Sequence, residues 1–268
     1  MSLLNNDYKH LVDKDLIGYI DENVLSSYDD PVVDEGHKLP HIKYVVNRSM
    51  KFAVGYNNRS NSFKDHLNLN MVYAIACYHD IGLRFGSRKE HAENSAKYML
   101  SDKGLDNFFT NNEIFVMSDA VAQHRASFKG DPSTIYGKVV SQADRDTDVD
   151  AIMYRTFMFR CDKEPYAANF DKLEWDVIKH LTEKYTSDGY ASDKIWFPDA
   201  EFEAFIREID YLMDHQDVFH QRFKELIKIR DIDHYQKYFP EVDNVDKVLR
   251  KADNIEIEAF SNVGNSYE

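Results

Sequence analysis

Apolar residues recur along this chain mostly at intervals of three and four, the spacing that places them on one face of a helix. The pattern predicts a helical region near Tyr8–Ser27, closed by the acidic turn before Pro31. A second helix is expected from about His41 to Gly55, followed by a loop over Asn57–Ser62. A third covers Asn68–Asp80 and stops at Gly82. Two four-residue signatures, Ser87-Arg-Lys-Glu90 and Thr110-Asn-Asn-Glu113, read as capping boxes opening the fourth and fifth helices. In each, a hydroxyl and a carboxylate would satisfy backbone amides that have no partner within the helix. A sixth helix is expected from about Ser133 to Phe159. The pattern weakens over Asp162–Phe170, and a further helical block follows. Its clearest member begins after Pro198-Asp199, where Phe202, Phe205, Ile206, Ile209, Leu212 and Met213 share a stripe. Ser261–Glu268 reads as a frayed end.

Composition supports the same fold class. Gly and Pro number 10 and 6, too few for a turn-rich β fold, and strict apolar–polar alternation is rare. Apolar residues make up 43% of the 268, including 17 Phe and 17 Tyr, enough for a sizeable core. The expectation is an all-α protein with a core domain over 1–160 and a C-terminal helical extension over 161–268. That extension could serve as a lid, an oligomer face or a partner surface. Its Trp175 and Trp196 read as core rather than as a cofactor platform.

Charge narrows the function. A formal charge of -14 argues against a protein that tracks a nucleic-acid backbone, which needs a basic surface. It leaves open a small phosphorylated substrate, because a bound cation reverses the local sign. Cys77 and Cys161 are too few for a disulfide framework or a thiolate-built metal site. The first residues lack the basic and apolar regions of a signal peptide. The longest nearly unbroken apolar run, Met71–Tyr78, is far below the ~20 residues a membrane span needs. A cytoplasmic protein is expected.

The chemistry-bearing residues are His41, His79, Asp80, His91, His124 and Asp144. His79 extends the stripe Val72, Ile75, Ala76, and His124 extends Ile114, Met117, Val121. His41 shares a face with Val45 and Ser49, and Asp144 lies one turn beyond Val140. Four metal-competent side chains on four helices thus point inward, where a shared cation would satisfy them together. Adjacent helical residues diverge by about 100°, so His79 and Asp80 can converge only where the helix ends. Ile81-Gly82 marks that end. The remaining histidines, His37 and His234 among them, read as ordinary structural or surface residues.

His41, then Ala-Cys-Tyr-His79-Asp80-Ile81-Gly82, then Gln-Ala-Asp144-Arg145, resembles the HD-domain superfamily of metal-dependent phosphohydrolases over roughly 36–159. The resemblance implies an HD-domain-like helical bundle with His41, His79, Asp80 and Asp144 as metal ligands. It favours His41 over His37, because the family's first histidine opens a helix of the form His-x-x-x-Val. In members with two metals, two further histidines lie between the His-Asp pair and the last Asp. His91 and His124 occupy that interval, as second-metal ligands or as donors to the substrate phosphate. Asp80, His91 and His124 are the expected catalytic residues. A lysine that follows His-Asp-Ile-Gly in many relatives is Leu83 here, which leaves Arg84, Arg88 and Arg145 as candidate phosphate contacts.

The implied cofactor is one or two divalent ions of Mn, Fe, Zn, Co or Ni, with Mg allowed. The implied reaction is hydrolysis of a phosphate ester or phosphoanhydride, in a nucleotide or a small metabolite, by metal-activated water. Two other classes fit the same residues: a di-iron oxygenase on an HD-like scaffold, and a non-catalytic nucleotide-binding sensor. No phosphate-cradling glycine-rich loop or Gly-x-Ser-x-Gly elbow is present.

Overall fold

The computed structural model describes residues 3–86 and 88–240. Among them are twelve α-helices joined by turns, some of 3₁₀ geometry, and no strand, so the fold is all-α as expected. No described helix is long and apolar enough to cross a membrane. Contacts divide the chain into two units. Unit 1 comprises Met1–Thr147 and Glu183–Arg207, and unit 2 comprises Asp148–Thr182 and the chain from Glu208 on. The sequence pattern placed one break at 160/161. The contacts instead break at 147/148, and a later segment returns to unit 1.

Unit 1 is built around α4 (Leu69–Tyr78), in which every residue from Met71 to Tyr78 is buried. A helix apolar on all sides is stable only when other helices enclose it. The apolar faces of α2 (Lys14–Asn23), α3 (Leu39–Arg59), α5 (His91–Ser101), α6 (Asn111–Ala122) and α7 (Ile135–Ala143) contribute to the same core. Their starts follow from local chemistry. Asp13 caps α2 by accepting from the amides of Asp15 and Leu16, and Pro40 in the first turn of α3 gives up no hydrogen bond there. Thr110 and Glu113 form the expected capping box of α6.

Several expectations need correction. The helical region expected over Tyr8–Ser27 is present but divided: the Asp13 cap separates α1 (Asn6–Lys9) from α2, and a 3₁₀ turn covers Leu25–Asp29. Helix α3 continues through Gly55 to Arg59, since one glycine costs a packed helix only about 1 kcal/mol. Helix α5 begins at His91 after Glu90, which makes no side-chain cap. Ser87, the other half of the expected box, lies outside the described residues, as does Ser261–Glu268. The expected helix Ser133–Phe159 is two helices, α7 and α8 (Val149–Arg160), interrupted at Asp144–Asp148. Asp148 caps α8 through the Ala151 amide at 3.0 Å, so the side chain that starts the second helix also ends the run.

In unit 1 the segment returning at 183–207 is fastened by buried polar groups. The Gln142 side chain accepts from the amides of Trp196 and Phe197 and donates to the Phe197 carbonyl. Lys194 donates to the carbonyls of Ala126 and Phe128, and Arg48 pairs with Asp199. Unit 2 contains α8, α11 (Gln216–Arg230) and α12 (Ile232–Tyr238). The unit boundaries fall within α9 (Phe170–Tyr185) and α10 (Ala200–Asp214). The predicted stripe of α10 is buried at Phe202, Phe205, Ile209 and Leu212, with Ile206 and Met213 at its half-buried margins.

Candidate metal centre

The six residues arrive from five helices of unit 1, mostly at helix ends. His41 is in the first turn of α3, and His91 is the first residue of α5. His79 caps the C-terminus of α4, Asp144 caps that of α7, and His124 lies two residues beyond the end of α6. Three helix C-termini thus meet, and the negative ends of their dipoles make the region favourable to positive charge.

The adjacent pair converges because the chain changes course between its members. His79 keeps helical backbone angles, whereas Asp80 turns to φ -109° and ψ 2° and opens the 3₁₀ turn Ile81–Phe85. His79 Nε2 and Asp80 Oδ2 then lie 3.3 Å apart. Gly82 does not end α4 by a left-handed cap: α4 ends at Tyr78, and among the described glycines only Gly130 has a φ in the left-handed range. Its role is close approach. A Cβ at Gly82 would collide with the His91 carbonyl oxygen and lie 2.5 Å from the Ser95 amide nitrogen. The Gly82 amide donates to Ser95 Oγ at 2.8 Å, so the turn after Asp80 rests directly on the start of α5.

Two half-sites result, joined by Asp80. On one side His41 Nε2 lies 3.1 Å from Asp144 Oδ1 and 3.5 Å from Asp80 Oδ2, with His79 Nε2 3.3 Å from His41 Nε2. On the other, His91 Nε2 and His124 Nε2 lie 3.1 and 3.5 Å from Asp80 Oδ1 and 3.2 Å from each other. Each group could hold a metal ion.

The tautomers suit that role. Nδ1 of His79, His91 and His124 faces the carbonyl oxygens of Ala76, Arg88 and Val121 at 2.7–2.8 Å. A carbonyl only accepts, so each Nδ1 donates, and each neutral imidazole presents its Nε2 lone pair to the cluster. Two facing lone pairs, as at His91–His124, and a buried Asp80 Oδ2 without a hydrogen-bond donor call for a cation. The donor set of four imidazoles and two carboxylates fits divalent transition metals.

Electrostatics in the metal-free protein agree. Burial lowers the His41 pKa, but the neighbouring carboxylates of Asp144 and Asp80 outweigh it and bring it to about 10. His79 is raised as well, burial being outweighed by Asp80. For His124 burial prevails, and its pKa falls. Burial would raise Asp80 and Asp144, yet the surrounding imidazoles hold both below the usual carboxylate range. Access is one-sided. The side chains of His79, Asp80 and His124 are 0–2% exposed, whereas His41 and Asp144 retain 13% and 24%.

His37 stands apart from the six. Its Nδ1 meets Asp34 at 2.7 Å and its Nε2 meets Arg88 at 3.3 Å, while its ring packs edge-on against His41. The three candidate phosphate arginines have contacts elsewhere. Arg84 donates to Ser27 Oγ at 2.5 Å and lies 3.8 Å from Asp30. Arg88 contacts Asp34 and His37, and its carbonyl accepts from His91 Nδ1. Arg145 is buried between Trp196 and Phe202 and donates to the Ala191 carbonyl at 2.6 Å, while its Nε and Nη2 have no hydrogen-bond partner.

Two contributors carried no sequence signal. Tyr28 is fully buried, and its hydroxyl donates to the Cys77 carbonyl at 2.7 Å, fixing the last turn before His79. Ser95 supports the turn after Asp80. Each is a polar residue whose partner is distant in the chain, so no local spacing reveals it. No family model, curated protein or solved structure matches the chain.

Proposed function

We propose that this chain is a metal-dependent phosphohydrolase acting on a phosphate ester or phosphoanhydride of a nucleotide or other small phosphorylated molecule. The observation that carries the reading is Asp80, whose two oxygens face separate histidine pairs 3.1–3.5 Å away. One carboxylate between two ligand sets is the arrangement expected of a bridged pair of ions, and the ordered resemblance to HD-domain sequences points to the same chemistry. Divalent ions held there would acidify a water and neutralise charge on a phosphoryl group.

The chain's own residues would divide the work by their exposure. Asp144 and His41 line the side that solvent reaches, so substrate enters over them. Asp80, sealed between the two histidine pairs, would hold metal and orient the attacking water, and its depressed pKa keeps it an acceptor near neutral pH. His91 and His124, locked by their backbone partners, keep the second half-site rigid, so little reorganisation accompanies reaction.

The test is phosphate release from a broad panel of nucleotides and phosphate esters by protein loaded in turn with Mn, Fe, Zn, Co and Ni, with His79→Ala as control. Turnover by the wild type and not by the control supports the proposal. Folded, metal-loaded protein that releases no phosphate refutes it. A carboxylate-bridged, histidine-rich pair also suits two irons, so dioxygen consumption without phosphate release would assign an oxygenase instead. Tight nucleotide binding without either activity would assign a sensor.

A further inference from the structure

Unit 2 holds another group of ligand-type side chains, unrelated to the six. We propose that Cys161, Asp162 and His234 bind a zinc-class divalent ion that clasps the end of α8 to α12. Cys161 caps α8, Asp162 follows it in the turn, and His234 lies in the first turn of α12, 72 residues beyond Asp162. One ligand atom from each lies within 4.8 Å of the others, and His234 Nε2 is 3.1 Å from Asp162 Oδ1.

Packing fixes the two backbones before any ion binds. The Tyr238 hydroxyl donates to the Cys161 carbonyl at 3.0 Å, and the Phe157 ring meets the His234 ring edge-on at 5.7 Å. Asp231 then sets the imidazole. Its Oδ1 accepts the His234 amide at 3.2 Å, and its Oδ2 lies 2.8 Å from Nδ1. Metal-binding histidines characteristically donate their second nitrogen to a carboxylate, which fixes the tautomer and strengthens the ligand. Here that leaves the Nε2 lone pair facing the Asp162 carboxylate, two electron-rich atoms that need a proton or a cation between them.

A proton alone would account for a histidine held between two aspartates. The buried Cys161 thiol adds a third ligand-type group to the same cluster, hydrogen-bonded to the Asp162 carboxylate and 3.7 Å from the Met158 carbonyl, so all three side chains already converge on one point. A thiolate, an imidazole and a carboxylate together select zinc or cobalt over magnesium or calcium, and three protein ligands leave a fourth tetrahedral position for water. The thiol proton is released as the ion binds. The site was hidden in the sequence because its halves are far apart and one cysteine makes no recognisable spacing.

The test uses the full chain carrying His79→Ala and Asp80→Ala, which dismantle the first centre, stripped of metal and titrated with Co²⁺. One bound equivalent with a near-ultraviolet sulfur-to-cobalt charge-transfer band is expected. The band should vanish in Cys161→Ser, persist in Cys77→Ser and yield to Zn²⁺. Asp231→Asn should weaken binding about 10–100-fold without abolishing the band, as expected of a residue that positions a ligand. If the dismantled variant fails to fold, the wild-type chain is titrated instead, where Cys161→Ser still isolates the band. Folded protein with no such band, or a band that survives Cys161→Ser, overturns the proposal. The phosphohydrolase reading plays no part in the outcome.

Discussion

Replacing Gly82 by alanine tests how the turn after Asp80 builds the second half-site. The added methyl would lie 2.5 Å from the Ser95 amide nitrogen and closer still to the His91 carbonyl, where ordinary contact begins near 3.4 Å. The start of α5 must therefore retreat by at least the difference, about 0.9 Å. Both obstacles are backbone atoms, so no side-chain rotation relieves them. Overpacking of this kind costs about 1–3 kcal/mol of folding stability. His91 moves with its backbone, and its Nε2 leaves the 3.1 and 3.2 Å positions it holds against Asp80 and His124. Metal sites tolerate only about 0.2 Å in ligand distance, so the second ion should bind at least ~10-fold more weakly. His41, His79 and Asp144 do not lie on α5, and the first ion should bind as before. Urea unfolding of the metal-free protein gives the stability change, and calorimetric titration with Mn²⁺ gives the two affinities. Unchanged stability with two undiminished binding steps would refute the close-approach reasoning.

Acidity should act on metal binding through His41. Its pKa in the metal-free protein, about 10, is raised above the ordinary 6.5, so the stability it lends that form is full below 6.5 and lost as pH rises through 10. An ion must displace this proton, so apparent affinity should climb about tenfold per pH unit for each proton released between pH 6.5 and 9; a flat profile would contradict the assignment. Asp80 and Asp144, both depressed, stay ionised throughout and add no slope. Tyr28→Phe removes the hydroxyl that satisfies the Cys77 carbonyl and should cost about 1–3 kcal/mol in thermal unfolding, with weakened metal binding because that turn carries His79. Thr110→Ala deletes half of the α6 capping box and should cost about 1 kcal/mol by the same measurement, with Mn²⁺ affinity unchanged since the metal-facing end of α6 is the other one.

The parts of this protein legible in its sequence are those set by local periodicity. The eight-residue apolar run in α4, the stripe of α10 and the Thr110–Glu113 box each state their structure within one or two turns. Of the six clustered residues, His41, His79, His124 and Asp144 were legible from apolar stripes, because inward direction is a local property, and Asp80 from the helix end beside His79, whereas His91 entered only through the ordered resemblance to HD-domain sequences. Elements set by competition were less so. The break between α7 and α8 depends on Asp148 choosing to cap the later helix, which the apolar pattern continuing across it conceals. Long-range assignments were the least legible. Arg84, Arg88 and Arg145 have partners that only the folded chain reveals, and the clasp of Cys161, Asp162 and His234 joins residues no window contains together.

Mn²⁺ loading followed by electron paramagnetic resonance, on the wild-type chain and on His79→Ala/His124→Ala, tests the two-ion centre most directly. A hard ion of this kind disfavours the Cys161 thiolate, so the signal reports the histidine–aspartate cluster. An Asp80-bridged centre predicts a spin-coupled pair of ions in the wild type and loss of that coupling in the double variant. Wild-type protein that binds no Mn²⁺, or binds it identically in both chains, would contradict the account.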